Sequence, residues 1–215
     1  MSGKRVSFFI DGFNFYHNLV SKPYFKHFRW LNFKALAKMF VSPQNSLIDV
    51  FYFTAYPNWN KEKRKRHEVY ISALEQQGVK SIFGEFRLTE KRCRKCGNIY
   101  TTFEEKETDV NISTQLFEQA YKNTYDIALI LTADSDQIPT LKALKRNFCS
   151  KQIGVVIPPG GRAELLKKNA DFHRKIKPQH LRTSLLPESV TLSNGTTLTC
   201  PESWLCPVLT ADVFS

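Results

Sequence analysis

Apolar runs alternate with amphipathic segments along most of the chain. Five apolar runs predict buried strands at residues 5–10, 47–55, 79 to about 87, 125–133 and 153–157. Apolar positions at helical spacing predict helices at 32–40, within 59–77, at 108–122 and at 135–146. Asn32 is a candidate N-cap for the first helix, and Gly78 is placed to end the second.

This alternation predicts an α/β protein, because strands that alternate with longer helices form a parallel sheet covered on both faces. We expect one main core, since 215 residues suffice for one such domain with a small appendage. From residue 183 the pattern changes, and VTLSNGTTLTCP predicts a hairpin turned at Asn194-Gly195. We therefore expect a domain over 1–182 with a Cys-containing insertion at about 88–103, and an extension over 183–215 that packs on the domain or a partner.

Charge and cysteine content narrow the class of protein. The chain has 31 Lys and Arg against 20 Asp and Glu, a net charge of +11 that favours nucleic acid as a partner. The first residues contain too short an apolar run for a signal peptide, and no stretch is apolar enough to span a membrane. We expect a cytoplasmic protein without a membrane partner. The odd number of cysteines, five, argues against a disulfide framework.

Four acidic residues stand where this fold would bring them together. Asp11 and Asp134 directly follow predicted strands, Asp136 comes two residues later, and Asp109 lies at a predicted helix start. The carboxyl ends of parallel strands share one edge, where ligands usually bind. Carboxylates crowded at one edge repel each other unless a cation neutralises them, and their oxygen atoms select Mg²⁺ or Mn²⁺. On a basic protein this pattern indicates phosphodiester chemistry.

Each of these residues also has an ordinary structural interpretation. Asp11 could form a turn after its strand, Asp136 could be a helix N-cap, and Asp109 could be a first-turn acid that favours the helix dipole. Asn14 could be an exposed residue of the first helix. The Thr132 hydroxyl is interpreted as a strand-end group. The acidic residues taken together favour a site.

Three segments carry a resemblance to a known family. RVSFFIDGFNFYHNL resembles the opening of NYN domains, a branch of the PIN-like nucleases, while EEKETDVNIS and ALILTADSDQIPTLKAL resemble the second and third signatures of that family. The resemblance covers roughly residues 4 to 180 and is closest to the bacterial LabA-like branch. It implies a Rossmann-like three-layer α/β/α sandwich with a mainly parallel central sheet.

The resemblance also implies a function and a set of site residues. Asp11, Asp109 and Asp134 would be metal ligands, Asp136 a further acidic ligand, and Asn14 would fix the metal or the phosphate. The activity implied is endonucleolytic hydrolysis of RNA, with Mg²⁺ or Mn²⁺ activating a water molecule. No serine nucleophile elbow, Walker A loop or dinucleotide-binding glycine motif is present in the sequence.

Two other functions stay open at this point. One is a regulatory protein that binds RNA or another nucleic acid and retains the acidic pocket without cleaving. The other is a phosphatase with an Asp nucleophile, which is disfavoured because Phe13 stands two residues after Asp11, where a second Asp is expected. Binding without cleavage predicts salt-dependent RNA affinity that metal does not affect, whereas the nuclease needs metal for turnover.

Basic clusters indicate how RNA would be held. Singly, each is more often a solvated surface. Jointly, with loop aromatics such as Trp30 and Trp59, they favour binding of single-stranded or structured RNA. The residues we select as nucleic-acid-binding are Lys61, Arg64, Arg66, Arg92, Lys95, Arg162 and Lys167.

The segment Cys93-Arg94-Lys95-Cys96-Gly97 has the shape of a zinc knuckle, in which the glycine permits a tight turn around the metal. One pair is half of a four-ligand site, and the other two-cysteine segment, Cys200 with Cys206, lies far along the chain. A lone C-x-x-C is often a turn whose metal has been lost, so Zn²⁺ at Cys93 and Cys96 is a secondary candidate after Mg²⁺ or Mn²⁺. The extension from residue 183 is a candidate homodimer contact.

Overall fold

A computed structural model describes residues 3–205 of the chain. Its strands are β1 (Arg5–Asp11), β2 (Ser46–Thr54), β3 (Lys80–Phe83), β4 (Glu85–Arg92), β5 (Ile99–Lys106), β6 (Ile127–Leu131), β7 (Gln152–Ile157), β8 (Phe172–Lys175), β9 (Ser189–Thr191) and β10 (Thr197–Thr199). Its α-helices are α1 (Gly12–Val20), α2 (Phe33–Lys38), α3 (Lys61–Gln76), α4 (Thr108–Tyr121), α5 (Ile138–Asn147), α6 (Glu164–Asn169) and α7 (Pro178–Arg182). Short 3₁₀ helices cover Pro23–Phe28, Ser135–Gln137 and Glu202–Trp204.

Six strands form the central sheet in the order β3-β2-β1-β6-β7-β8, and every neighbouring pair is parallel. The chain first builds outward from β1 to β3 and then returns to the other side of β1 with β6. The order therefore reverses between β1 and β6, which is where open α/β sheets usually bind ligands. The predicted α/β class and mainly parallel sheet are confirmed.

Helices cover both faces of this sheet. Alternate residues of β1 point to opposite layers, so Phe8 and Ile10 pack in the layer that contains α1, α2 and α3, while Phe9 packs in the layer of α4 and α5. The sheet thus divides the expected single core into two apolar clusters. This is the three-layer α/β/α sandwich that the family resemblance implied.

The segment after α3 differs most from its prediction. The expected single strand from 79 to about 87 is divided at Gly84 into β3 and β4, and β4 pairs with β5 in an antiparallel hairpin outside the central sheet. A Cβ atom on Gly84 would lie 2.5 Å from the Lys106 carbonyl oxygen, so the two strands of the hairpin meet closely at its base. The region predicted as an interruption at 88–103 therefore forms most of a hairpin.

Helix starts follow their predictions with local corrections. Asn32 caps α2 through its side chain, which accepts a hydrogen bond from the Ala35 backbone N–H, and Gly78 ends α3 with a φ of 82°. The helix predicted from 135 begins instead as a 3₁₀ turn, and α5 starts at Ile138. The short edge strand β8 was not predicted from the sequence.

The last described residues pack on the domain. The predicted hairpin is confirmed as β9 and β10, with Gly195 at a φ of 84°. Trp30 Nε1 donates a hydrogen bond of 2.8 Å to the Pro187 carbonyl, and Val190 and Cys200 are buried in the α1–α3 layer. The division into a domain over 1–182 and an extension stays a prediction. Residues 206–215 of that extension, including Cys206, lie outside the described residues.

No helix within residues 3–205 combines the length and the apolar character needed to cross a membrane.

Candidate active site

The site begins where β1 runs directly into α1. Asp11 is the last residue of β1 and the N-cap of α1, and its Oδ1 accepts a hydrogen bond of 2.9 Å from the Asn14 backbone N–H. Gly12 is required at this junction, since a Cβ atom would lie 2.5 Å from the Phe53 carbonyl oxygen. The close approach to β2 leaves Asp11 only 4% exposed.

Two side chains connect Asp11 to the loop after β6. Thr132 Oγ1 donates a hydrogen bond of 2.9 Å to Asp11 Oδ2 and accepts one of 3.1 Å from the Asp134 backbone N–H. Asn14 Oδ1 accepts a hydrogen bond of 2.8 Å from the Ala133 backbone N–H. Asn14 therefore fixes the spacing of the two loops through its carbonyl oxygen. Thr132, interpreted from sequence as a strand-end group, also anchors Asp11.

The acids of the 134–136 segment have different surroundings. Asp134 is partly buried, and its Oδ1 accepts a hydrogen bond of 3.0 Å from the Asp136 backbone N–H, which makes it the N-cap of the 3₁₀ turn. Asp136 is exposed. The capping role considered for Asp136 is therefore wrong, because the helical turn begins earlier than predicted and Asp134 occupies the capping position.

Asp109 reaches the site from the first turn of α4, where the β4–β5 hairpin returns to the sheet. Its Oδ1 accepts a hydrogen bond of 2.9 Å from Gln137 Nε2. Gln137 is 1% exposed, and its Oε1 has no hydrogen-bond partner among the described residues. The sequence analysis missed Gln137. In the sequence Gln137 is only a polar residue next to Asp136, and its burial could not be inferred from that position.

Electrostatic interactions join these acids into one group. Burial and, to a smaller extent, the negative charges of Asp109 and Asp134 together raise the pKa of Asp11 to about 6, against the hydrogen bonds from Asn14 and Thr132. Burial also raises the pKa of Asp109, as do the charges of Asp134 and Asp136, against the hydrogen bond from Gln137. The structure thus concentrates negative charge from three separate chain segments.

The donor atoms of this group fit a hard divalent cation. Across residues 3–205, no three His, Cys, Asp or Glu side chains lie close enough together to enclose a metal ion. Mg²⁺, however, usually keeps several waters and needs only one or two carboxylates from the protein. Asp109 and Asp134 each use one carboxylate oxygen in the hydrogen bonds above. Oxygen donors of this kind suit Mg²⁺ or Mn²⁺.

A half-buried histidine borders the same edge of the sheet. The His67 Nε2 atom lies 3.2 Å from Thr54 Oγ1, at the end of β2, and burial lowers the pKa of His67 to about 4. The charge of Glu68 opposes this only in part. His67 is therefore neutral at neutral pH and supplies no positive charge for a phosphate.

His67 should make folding stability depend on pH. Its pKa is about 4 when folded and near 6.5 when unfolded, so its contribution to stability is present above pH 6.5 and is lost as the pH falls towards 4. We expect a loss of about 2 kcal/mol at about pH 5 relative to neutral pH. His67→Gln, which can retain a hydrogen bond to Thr54, should flatten this difference in urea unfolding. An unchanged pH dependence in the variant would contradict the assignment.

The predicted RNA-binding residues fall into two places. Lys61 begins α3 after β2, and Arg162 lies in the loop after β7, so both follow strands that end at the edge carrying Asp11. Arg92 and Lys95 are exposed at the far end of the β4–β5 hairpin. The structure therefore places Lys61 and Arg162 at the acidic edge and puts Arg92 and Lys95 on a separate projection.

The remaining predicted cations form ion pairs within their own helices. Exposed pairs of this kind contribute only about 0.2–1 kcal/mol, so a phosphate can compete for them. The pairs are Arg64–Glu68 at 2.7 Å, Arg66–Glu62 at 3.9 Å and Lys167–Glu164 at 2.5 Å.

An aromatic cluster extends from the site to the hairpin. Phe13 contacts Phe86 edge to face, Phe86 contacts Trp59 at 4.5 Å between ring centroids, and Trp59 stacks on Phe103 at 4.2 Å. Trp59 is 42% exposed, which leaves it accessible to a nucleobase. Trp30, considered for the same role, is buried in the core and is unavailable for stacking.

Comparisons with known proteins agree with this fold and show the family of the chain. A protein of unknown function from Vibrio parahaemolyticus has a similar structure, with a TM-score of 0.58 at 15% identity over 86% of this chain and 98% of that protein. The 6-hydroxy-3-succinoylpyridine 3-monooxygenase HspA of Pseudomonas putida is 26% identical over 93% of this chain and 75% of its own length. The LabA-like branch stays a prediction. The NYN domain model matches residues 5–177, which include all four candidate acids, and the chain therefore belongs to the NYN domain family of the PIN-like nuclease superfamily.

Proposed function

We propose that this protein is a divalent-metal-dependent ribonuclease that cleaves RNA internally. NYN domains are nuclease-like domains, and PIN-like nuclease domains generally use divalent metals. The observation that carries the proposal is the electrostatic coupling of Asp11, Asp109 and Asp134, which three distant segments bring to the switch point of the sheet.

Different residues of the chain would hold the metal, add negative charge and position the loops of such a site. Mg²⁺ or Mn²⁺, when bound, supplies charge neutralisation at the phosphate and lowers the pKa of a water molecule. Asp109 and Asp134 would hold the metal with their free carboxylate oxygens, and buried Asp11 would add the charge that makes the pocket attract a cation. Asn14 keeps the loops after β1 and β6 at a constant spacing, and Gln137 orients Asp109.

The surrounding surface supports a nucleic acid as substrate. Lys61 and Arg162 follow strands at the acidic edge, where they would neutralise phosphates next to the scissile bond. Trp59 stands beside the site with an accessible ring, which favours an unpaired base over one inside a duplex. The preference for RNA over DNA rests on the family resemblance.

The test is cleavage of labelled single-stranded and structured RNA and of matching DNA, with Mg²⁺, Mn²⁺ or EDTA. Asp134→Asn should lower the initial rate about 100-fold or more, because it removes a charged ligand. Asp136→Asn is the matched control and should lower it less than about 10-fold, since its carboxylate is exposed and screened by water. Initial rates at equal protein concentration compare the two variants.

Other outcomes would change the proposal in defined ways. Salt-dependent RNA binding without cleavage under any metal would support the non-cleaving regulatory protein. Equal losses in Asp134→Asn and Asp136→Asn would contradict the separate role of Asp134. Equal cleavage of RNA and DNA would replace ribonuclease by a general nuclease.

A second candidate function comes from the Pseudomonas putida relative, whose name describes a monooxygenase acting on 6-hydroxy-3-succinoylpyridine. The observation in its favour is the match over 93% of this chain. The test supplies that pyridine with O₂ and a two-electron reductant and follows substrate and O₂ together. Consumption of one O₂ per substrate, with no RNA cleavage, would replace the ribonuclease by an oxygenase.

A further inference from the structure

The loop that joins β4 to β5 has the geometry of a metal-binding knuckle. The Cys93 N–H donates a hydrogen bond of 2.8 Å to the Asn98 carbonyl, and the Gly97 N–H donates one of 2.9 Å to the Cys93 carbonyl. Gly97 has a φ of 75°, a conformation that favours glycine, so the chain can turn back directly after Cys96. Both thiols thus stand on one tight turn at the tip of the hairpin.

The two thiols of this turn are free and accessible to solvent. The thiolate is the form of cysteine that binds metal. Cys96 is exposed and Cys93 is half-buried, and both are free thiols. A metal ion can therefore reach the pair from solvent.

One chain supplies only half of a structural zinc site. No third His, Cys, Asp or Glu in residues 3–205 lies close enough to the pair to complete a metal site. The other described cysteines are elsewhere, since Cys149 is exposed after α5 and Cys200 is buried under the C-terminal hairpin. Structural zinc is almost always tetrahedral with four protein ligands. The remaining two ligands must then come from another molecule.

The surface beside the knuckle favours a second protein copy over RNA. Leu88 and Ile99 are 62% and 69% exposed on one face of the two strands that lead to it, and Tyr100 lies on the opposite face. Exposed aliphatic side chains of this kind mark protein contacts, whereas single-stranded RNA is held by aromatic stacking and cations. A second copy would cover Leu88 and Ile99 with its own apolar side chains.

The positive charge of the hairpin tip would make a contact between two copies depend on bound metal. Arg94 and Lys95 are exposed at the tip and form no ion pair among the described residues, so two metal-free tips would repel each other. Four thiolates on one Zn²⁺ carry a net charge of −2, which these cations would offset. The basic residues that oppose a bare contact therefore favour a zinc-bridged one.

We propose that two copies of this chain share one Zn²⁺ at their hairpin tips, bound by Cys93 and Cys96 of each copy. Four thiols release four protons as the metal binds, and no oxidation or reduction takes place. The hairpin leads directly into α4 and Asp109, so the bridge would hold the element that delivers a candidate ligand to the acidic site. The inference goes beyond the proposed ribonuclease and does not depend on it.

The test uses the full chain purified without chelator. Metal analysis should find one Zn²⁺ per two chains, and light scattering should give the mass of a dimer. A strong zinc chelator should convert it to a monomer, and added Zn²⁺ should restore the dimer. Replacement by Co²⁺ should give the absorption of a tetrahedral thiolate site.

Variants locate the site. Cys93→Ser and Cys96→Ser should each lose the zinc and the dimer, while Cys149→Ser, an exposed cysteine away from the hairpin, should retain both. Circular dichroism checks that the serine variants fold. One Zn²⁺ per chain in a monomer, no bound zinc, or a dimer that survives the chelator would each overturn the proposal. Cys93→Ser should still cleave RNA at a rate within about 10-fold of the wild type. Loss of the dimer can therefore be distinguished from failure of the ribonuclease proposal.

Discussion

Asp11→Asn is expected to lower metal-dependent RNA cleavage at least about 1000-fold while raising the stability of the fold at neutral pH in EDTA. The activity is lost because the buried carboxylate supplies charge at the centre of the acidic group. The fold is retained because the asparagine Oδ1 still accepts the hydrogen bond from the Asn14 N–H, and asparagine is an equally good N-cap. The amide Nδ2 replaces Oδ2 and would donate a hydrogen bond to Thr132 Oγ1, which now donates to the carboxylate. Cleavage rates and thermal unfolding in EDTA measure the two effects.

The raised pKa of Asp11 determines whether Asp11→Asn stabilises or destabilises the fold. Asp11 has a pKa of about 6 in the folded protein and 3.8 as its reference value, so its contribution to stability is present below pH 3.8 and is lost as the pH rises through about 6. At neutral pH the buried charge is therefore a cost that the amide removes. Relative to the wild type, Asp11→Asn should gain in melting temperature as the pH rises from about 4 to about 7.

Asp126→Asn provides a control with the opposite sign. The hydrogen bonds and charge of Arg5 hold the pKa of Asp126 at about 2, so its carboxylate stabilises the fold at neutral pH. Asp126 directly precedes β6 at its amino end, at the edge opposite Asp11. This variant should melt earlier and cleave RNA normally. If Asp11→Asn also melts earlier, or if it still cleaves RNA, the role given to Asp11 is wrong.

Gln137→Met should weaken metal binding about 10- to 100-fold while the maximal rate at saturating metal changes much less. Gln137 donates the hydrogen bond that orients Asp109 Oδ1, and methionine fills a similar volume without a donor. The change also removes the buried Oε1 that has no described partner, so the loss of stability should be small. The measurement is the RNA cleavage rate as a function of Mn²⁺ concentration.

A matched control lies on the helix that carries Asp109. Gln119 is near the other end of α4, where its Oε1 accepts a hydrogen bond from the Thr124 hydroxyl. Gln119→Met should leave the half-saturating Mn²⁺ concentration unchanged. A fall in maximal rate for Gln137→Met with no change in half-saturation would show that Gln137 acts on a step other than metal binding.

Local patterns were sufficient for most of the secondary structure. The strands ending at Asp11 and Leu131 are predicted by nearly continuous apolar runs, because a parallel sheet buried on both faces favours apolar residues at most positions. The cap at Asn32 and the end of α3 at Gly78 depend only on residues within one turn. The β4–β5 hairpin was missed because Gly84 breaks a strand-like run at a point that only the close approach of Lys106 reveals.

Short-range patterns in the amino-acid sequence were enough to predict the alternation of strands and helices, the family, and the placement of Asp11 and Asp134 after strands. Three features could be seen only in the folded chain: the strand order reverses between β1 and β6, the hairpin carries Asp109 to that point, and Gln137 is buried against Asp109. The reason is that these contacts join residues far apart in the chain, and burial depends on the packing of all layers at once.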